Sequence, residues 1–182
     1  LRIFGVEIGT EEHENIYDGL PTSKKLEILH DRTGFPINLA NIGNELKQSF
    51  TVDEIVLRCK PTFHHQYALA SLKREGYELA LASNSIRESV ELMTSRAGIS
   101  QYLSFCLSNQ DVVAPKPAPD IYLEAHRRLN LDKSEILVVE DNRNGVLAAQ
   151  SAGLQVLKVD SPKDVTYSNL KEHIDGLDAG NL

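Results

Sequence analysis

The sequence is short of the features that would point to nucleic acid, a metal cluster or a membrane. Lysine and arginine total 19 against 26 aspartates and glutamates, a net charge of -7. The basic residues are scattered among acids, so no cationic footprint for nucleic acid is present, and an acidic surface gives no attraction to anionic lipid. Cysteine occurs twice, at Cys59 and Cys106, without metal-ligand spacing. That pattern predicts two reduced thiols in a cytoplasmic protein. No apolar run approaches the roughly 18 residues of a transmembrane helix, and no signal peptide is expected from the opening residues. Repeats and low-complexity tracts are missing. Methionine occurs once, at Met93, while the first residue is Leu1. A natural translation start is therefore lacking, and the expectation is a chain that was cut, processed or read from an incomplete gene.

What is present is a globular balance of 41% hydrophobic and 25% charged residues over 182 positions. That length suits one domain, or a core with a small accessory module. Leu1 to Ile8 is short and apolar, either a strand or the end of a helix. From Glu11 to about Arg58 the pattern is helical, without a strand. Thr22 or Ser23 can cap a helix that stops near Gly34 and Pro36. A second helix fits Leu39 to Phe50. Thr51 and Glu54 have the spacing of a capping box for a third.

Beyond Pro61 apolar strands alternate with helices. Strands are predicted at 77–82, 105–107, 136–139 and 156–159, and helices at about 62–74, 86–96, 119–129 and 146–152. This alternation argues for a parallel sheet covered on both faces, a Rossmann-like α/β core. The predicted division is residues 1–9 as a remnant of a first core element, 10–59 as a small all-helical cap and 60–182 as the core.

Ligands of open parallel sheets bind beyond the carboxyl ends of the strands. Ser83-Asn84-Ser85 follows the first strand and opens a helix. A hydroxyl with backbone N–H groups there makes an anion seat; the alternative is a plain capping serine. Lys116 stands between Pro115 and Pro117, before Ala118-Pro119-Asp120. It is either a point charge for a phosphoryl group or a surface lysine in a proline turn. Glu140-Asp141-Asn142 follows the strongest strand. The two carboxylates are a hard-oxygen set for magnesium, or an acidic helix start. His64-His65 is discounted as a metal pair, because adjacent helical residues point about 100° apart. A serine hydrolase is discounted because Gly-x-Ser-x-Gly is absent.

Serine, lysine and acidic pair fall in order on successive strand ends. In this order they resemble the haloacid dehalogenase superfamily. Its second motif matches Leu79-Ala80-Leu81-Ala82-Ser83, its third Lys116 in Lys-Pro-Ala-Pro-Asp, and its fourth the stretch from Val138 to Gly145. The helical segment resembles the cap of the subgroup containing beta-phosphoglucomutase and sugar-phosphate phosphatases, with Asp18-Gly19-Leu20-Pro21 similar to the loop turned toward substrate. By this resemblance Ser83 and Lys116 would be catalytic and hold the phosphoryl group, helped by Asn84. Asp141 would ligate Mg2+ directly and Glu140 through water. Gly19 and Lys24 would face the substrate from the cap, although Lys24 and Lys25 also suit a solvated helix face.

The resemblance implies a magnesium-dependent hydrolase, a phosphatase of a small phosphorylated metabolite, that uses an aspartate nucleophile from an Asp-x-Asp motif on a central first strand. No Asp-x-Asp occurs in the sequence. The expectation is therefore that the strand and motif precede Leu1, that this chain is inactive, and that two unpaired inner sheet edges invite association into homo-oligomers. Three ways of meeting those edges are predicted: Leu1–Ile8 fills the slot, another chain supplies a strand, or the molecule holds residues beyond this sequence. The alternatives are a beta-phosphoglucomutase-like isomerase and a non-catalytic binding module. Mutases of that kind carry an arginine three residues after the cap-loop glycine, where Thr22 stands here.

Overall fold

The computed structural model describes residues 7–12, 16–17 and 19–178. The expected cap-loop residue Asp18 and most of the Leu1–Ile8 segment lie outside the described residues, and residues 7–9 have no regular structure.

Between 10 and 58 the described residues form helices joined by turns, with no strand among them. A single turn α1 (Thr10–Glu12) precedes α2 (Thr22–Thr33) and α3 (Ala40–Arg58). Helix α2 ends where Gly34 turns left-handed, with φ 72°, a conformation that glycine reaches without Cβ strain. Its first residue is Thr22 and no side chain caps it, so the expected Thr22 or Ser23 cap is not used. The two helices predicted at 39–50 and after Thr51 form one. Thr51 does not cap; its hydroxyl donates back to the Lys47 carbonyl at 2.8 Å, within the running helix. A threonine satisfied in this way lets a helix continue. Glu54 pairs with Arg58 one turn on instead of closing a box. Tyr17, Leu26, Leu29 and Phe35 make a small core for this segment.

Four short parallel strands follow, β1 (Ala80–Ala82), β2 (Phe105–Leu107), β3 (Leu137–Glu140) and β4 (Gln155–Lys158). They pair β1 with β2 and β3 with β4, in register Leu81 to Cys106 and Val138 to Val156. Strand β1 begins three residues later than its apolar run, because only Ala80–Ala82 find partners on the three-residue β2. Among the described residues no backbone ladder joins the two pairs. Side chains join them instead. On one face the core combines Leu107 of β2 and Val138 of β3 with Ile121 and Tyr122 of α6 (Asp120–Leu129) and Ala148 and Ala149 of α7 (Arg143–Ser151). On the other face, Ala68 and Leu72 of α4 (Phe63–Arg74) and Leu170 of α8 (Tyr167–Asp178) gather Leu79 from beside β1 and Leu157 from β4. Helix α5 (Arg87–Arg96) follows β1 and packs on α3. Its Arg96 donates to the Val56 carbonyl at 2.6 Å, tying the helical segment to the strand-bearing one.

Helix α8 has no counterpart in the sequence expectations. Its signal was Tyr167, Leu170 and Ile174, one apolar face at helical spacing. Helix α7 begins earlier than its apolar run, at Arg143, because Asn142 caps it by accepting the Asn144 N–H at 2.9 Å. Cys59 and Cys106 are both free thiols. Among the described residues no helix is long and apolar enough to cross a membrane.

Candidate functional site

The carboxyl ends of β1 and β3 open into a cavity of about 390 Å³, closed on its other side by the helical segment. Ser83, Asn84, Lys116, Glu140, Asp141 and Gly19, all singled out from the sequence, line it.

Ser83 extends the β1 ladder, its N–H donating to the Leu107 carbonyl at 3.0 Å. Its hydroxyl accepts the Ser85 N–H at 3.1 Å. That bond uses a lone pair and leaves the hydroxyl proton to donate, which suits an anionic oxygen.

Lys116 is buried beneath the cavity. Its Nζ donates to the Ala82 carbonyl at 3.0 Å and to the Tyr122 hydroxyl at 2.9 Å, and forms an ion pair with Glu140 Oε1. The Tyr122 ring lies 4.6 Å below the ammonium, within cation–π range. The same hydroxyl donates to Glu140 Oε1. Burial, then the neighbouring Glu140 carboxylate, push the Tyr122 phenol far above its ordinary value, so it stays protonated. The lysine is therefore not a surface residue in a proline turn: it links the end of β1 to the end of β3. Tyr122 was missed in the sequence. It sits six residues after Lys116 on an amphipathic helix, where an aromatic reads simply as core.

Asn84 corrects an expectation. Its Oδ1 accepts the Lys116 N–H at 2.9 Å, and its Nδ2 donates to the Lys116 carbonyl at 3.0 Å and to the Gly19 carbonyl at 2.8 Å. A carboxamide has two N–H donors, and both are spent on backbone. Asn84 clips the lysine loop and the Gly19 turn together, and its side chain keeps no N–H for a phosphate. Gly19 has φ 70°, and a Cβ there would collide with the Asn142 side chain. The turn approaches the strand ends as closely as it does because it carries no side chain.

Glu140 and Asp141 differ. The Glu140 side chain is 11% exposed and its Oε1 is shared by Lys116 and Tyr122. Asp141 is exposed at the cavity. A cation bound here would meet Asp141 and at most the second oxygen of Glu140. Magnesium is held by one or two carboxylates with waters and substrate phosphate, so this donor set fits it. Among the described residues no group of three His, Cys, Asp or Glu forms a fuller site.

Of the two readings of Lys24, facing substrate or lying on a solvated helix face, its side chain takes the second. It points to solvent and pairs with Glu27 at 2.7 Å. Its neighbour Lys25 lines the cavity together with Lys47 of α3. Consecutive residues of a helix diverge by about 100°, so only one of the two lysines can face inward.

The family model of the haloacid dehalogenase-like hydrolases matches residues 3–159. A bifunctional riboflavin kinase/FMN phosphatase of Arabidopsis thaliana is 40% identical over 58% of this chain and 29% of its own length. A phosphorylated carbohydrates phosphatase of Thermotoga maritima is 30% identical over 80% of this chain and 67% of its own. The chain spans 54% and 48% of two further curated relatives, about half their length. The crystal structure of beta-phosphoglucomutase from Clostridium difficile superposes with a TM-score of 0.80 over 98% of this chain and 87% of that one, at 20% identity, a likeness of fold.

Proposed function

Because the chain belongs to the haloacid dehalogenase-like hydrolase family, we propose that its cavity is the phosphoryl site of a magnesium-dependent phosphatase acting on a small phosphorylated metabolite. The observation that carries this reading is the convergence of Ser83, Lys116 and Asp141 on one cavity from three separate segments. Ser83 donates its hydroxyl proton to a phosphoryl oxygen. Lys116 places a fixed positive charge beneath the same group. Glu140 holds that charge in place and shares with Asp141 the task of binding Mg2+. The bound ion offsets negative charge on the phosphoryl group. Residues 10–59 act as the cap and 60–182 as the core, with Gly19 and Lys25 meeting the substrate from the cap side. The relatives named phosphatases support the reaction class. Thr22 lines the cavity, where the resemblance places an arginine in mutases, and this favours hydrolysis over isomerisation.

The same reading includes a gap. The sequence holds no Asp-x-Asp pair, and among the described residues the carboxylates lining the cavity are Glu140, tied to Lys116, and Asp141, assigned to the ion. The chain as given should bind phosphate with Mg2+ and not turn over. Two free cysteines fit a cytoplasmic setting, and two separate strand pairs leave edges for self-association.

The test is phosphate binding by NMR titration, with and without Mg2+, alongside release of nitrophenol from p-nitrophenyl phosphate. Phosphate binding strengthened by Mg2+ and lost in Lys116→Ala and Asp141→Asn is expected, with no turnover. Binding indifferent to Mg2+ overturns the metal assignment. Turnover by this chain overturns the missing-nucleophile reading.

A further inference from the structure

The ammonium group of Lys116 is fully engaged before any ligand arrives. A lysine ammonium has three N–H donors. At Lys116 one goes to the Ala82 carbonyl at 3.0 Å, one to the Tyr122 hydroxyl at 2.9 Å and one to Glu140 Oε1. The residue nevertheless lines the cavity. A phosphoryl oxygen that bonds Lys116 must therefore take over an N–H already in use.

The three acceptors are not equally easy to displace. The Ala82 carbonyl is fixed in the backbone of β1. Glu140 carries a full opposite charge, and separating a buried pair costs more than breaking a bond to a neutral group. The Tyr122 oxygen is neutral, and its own proton goes to Glu140 Oε1. If the lysine leaves, the phenol still donates and is not left unpaired. Tyr122 is also held in place. It is 5% exposed in the first turn of α6, with its N–H donating to the Pro119 carbonyl at 3.0 Å. Its hydroxyl therefore does not follow the ammonium when that group tilts toward the cavity. Water is a neutral acceptor like the phenol and gains nothing by the exchange. A phosphoryl oxygen gains, because a bond between charged groups is roughly twice as strong as one between neutral groups.

We propose that Tyr122 is a positioning residue that latches Lys116 closed, and that phosphate binds by taking over the N–H that Lys116 gives to the Tyr122 oxygen. The lysine keeps its bonds to Ala82 and Glu140, and its charge stays where it is. Only the third partner changes, and no proton is transferred. The latch keeps the lysine closed to water and opens it to an anion, at a cost in affinity equal to the bond given up. This rests on the reading of Ser83 and Lys116 as the phosphoryl seat. It adds what that reading leaves open, how a fully bonded lysine becomes available to a ligand.

Tyr122→Phe removes the latch oxygen and keeps the ring, whose centroid lies 4.6 Å from Lys116 Nζ. Inorganic phosphate is titrated into the whole chain, wild type and variant, without and with Mg2+, and followed by NMR. The variant should bind phosphate about tenfold tighter, the size of one hydrogen bond to a charged group, and should do so in both conditions. A gain without Mg2+ places the effect at Lys116 rather than at the carboxylates assigned to the ion. A merely structural role for the hydroxyl predicts unchanged or weaker binding, so the direction of the change separates the two. A one-dimensional proton spectrum checks that the variant folds. Labelling lysine with 15N gives a second reading that needs no change at Tyr122. The Lys116 ammonium resonance, identified by its loss in Lys116→Arg, should shift when phosphate is added to wild type. Equal or weaker binding by folded Tyr122→Phe, a gain confined to Mg2+, or an ammonium resonance that stays put while phosphate binds overturns the latch and leaves the phosphoryl reading standing. Failure of phosphate to bind either protein in either condition overturns the phosphoryl reading, and the latch with it.

Discussion

On the strand side of the cavity, Lys116 and Glu140 are 8% and 11% exposed, and each is held by the other and by Tyr122. On the helical side, Lys25 and Lys47 reach the cavity from two helices, and Lys47 stays exposed to solvent. The strand-side groups are fixed by buried hydrogen bonds before any ligand arrives. The helical-side groups are long side chains that solvent reaches in part. Groups that meet a reacting phosphoryl group need a preset geometry, because a small misplacement costs a large factor in rate. Groups that recognise the remainder of a ligand can adjust as it binds. The difference predicts what substitution does on the strand wall: a change at Lys116 or Glu140 should disturb folding and binding together.

The largest expected effect breaks the strand wall. Lys116→Met keeps most of the side-chain volume and leaves the Glu140 carboxylate buried without its cation. Losing one partner of a buried pair typically costs about 3–5 kcal/mol. Urea unfolding should show a loss of that order, together with loss of phosphate binding. Lys116→Met/Glu140→Gln removes both charges and should recover much of the stability but none of the binding. If the double variant is no more stable than the single one, the pair is not what holds the two strand ends together.

A smaller effect tests how firmly Glu140 is pinned. A Cβ at Gly145 would collide with the Glu140 carboxyl group. Overpacking costs about 1–3 kcal/mol, against a helix gain of roughly 0.5–1 kcal/mol for replacing glycine. Gly145→Ala should therefore destabilise, by less than Lys116→Met. Introduced into a Glu140→Ala background, the same substitution should stabilise, because the obstruction is gone. Equal effects in both backgrounds would show that Glu140 is free to swing aside.

The two walls were also unequally legible in the sequence. Ser83, Lys116 and Asp141 could be found because each follows an apolar run or a proline turn, signals local to a few residues. Tyr122 could not, because its role depends on a hydroxyl meeting two groups from other segments. Asn84 was legible as a polar residue at a strand end, but that its donors are spent on Gly19 and Lys116 is a tertiary fact. On the helical wall, periodicity located α2, while the choice between Lys24 and Lys25 depended on a rotation that the pattern left open. Thr51 misled because a capping residue and a threonine bonded to the preceding turn have the same local sequence. Strand β1 is shorter than its apolar run because pairing needs a partner of equal length.

A modest, pH-dependent effect separates scaffold from cavity on the strand side. Asp111 accepts from the Ser108 hydroxyl and N–H at 2.6 and 2.8 Å and from Arg87 at 2.8 Å. It closes the turn after β2 that carries Asn109 to the cavity. The Ser108 hydroxyl bond outweighs the opposing effect of burial and, with the Ser108 N–H and Arg87, lowers its pKa from 3.8 to about 2. A carboxyl group depressed on folding stabilises above its unfolded pKa, and that contribution is lost as pH falls through the folded value. Wild type should therefore lose stability between pH 3.8 and about 2 relative to Asp111→Asn, which should be the less stable protein at pH 7 and show a flatter acid profile. Parallel acid profiles for the two proteins would remove Asp111 from the scaffold.

The smallest expected change in stability is at Asp141, and it sharpens the comparison most. This carboxylate belongs to the strand wall by position but to the exposed class by environment. It forms no ion pair among the described residues. If burial rather than location decides whether substitution disturbs the fold, Asp141→Asn should behave like a surface change, within about 0.5 kcal/mol of wild type in urea. Its effect should appear in Mg2+ titrations, because an amide oxygen carries no formal charge for a hard cation. A variant that unfolds easily would place Asp141 in the buried network with Glu140, and a variant that binds Mg2+ unchanged would move the ion elsewhere. Loss of Mg2+ binding at full stability would mark the cavity as a rigid base carrying one exposed ligand, with Lys116 and Glu140 providing the rigidity.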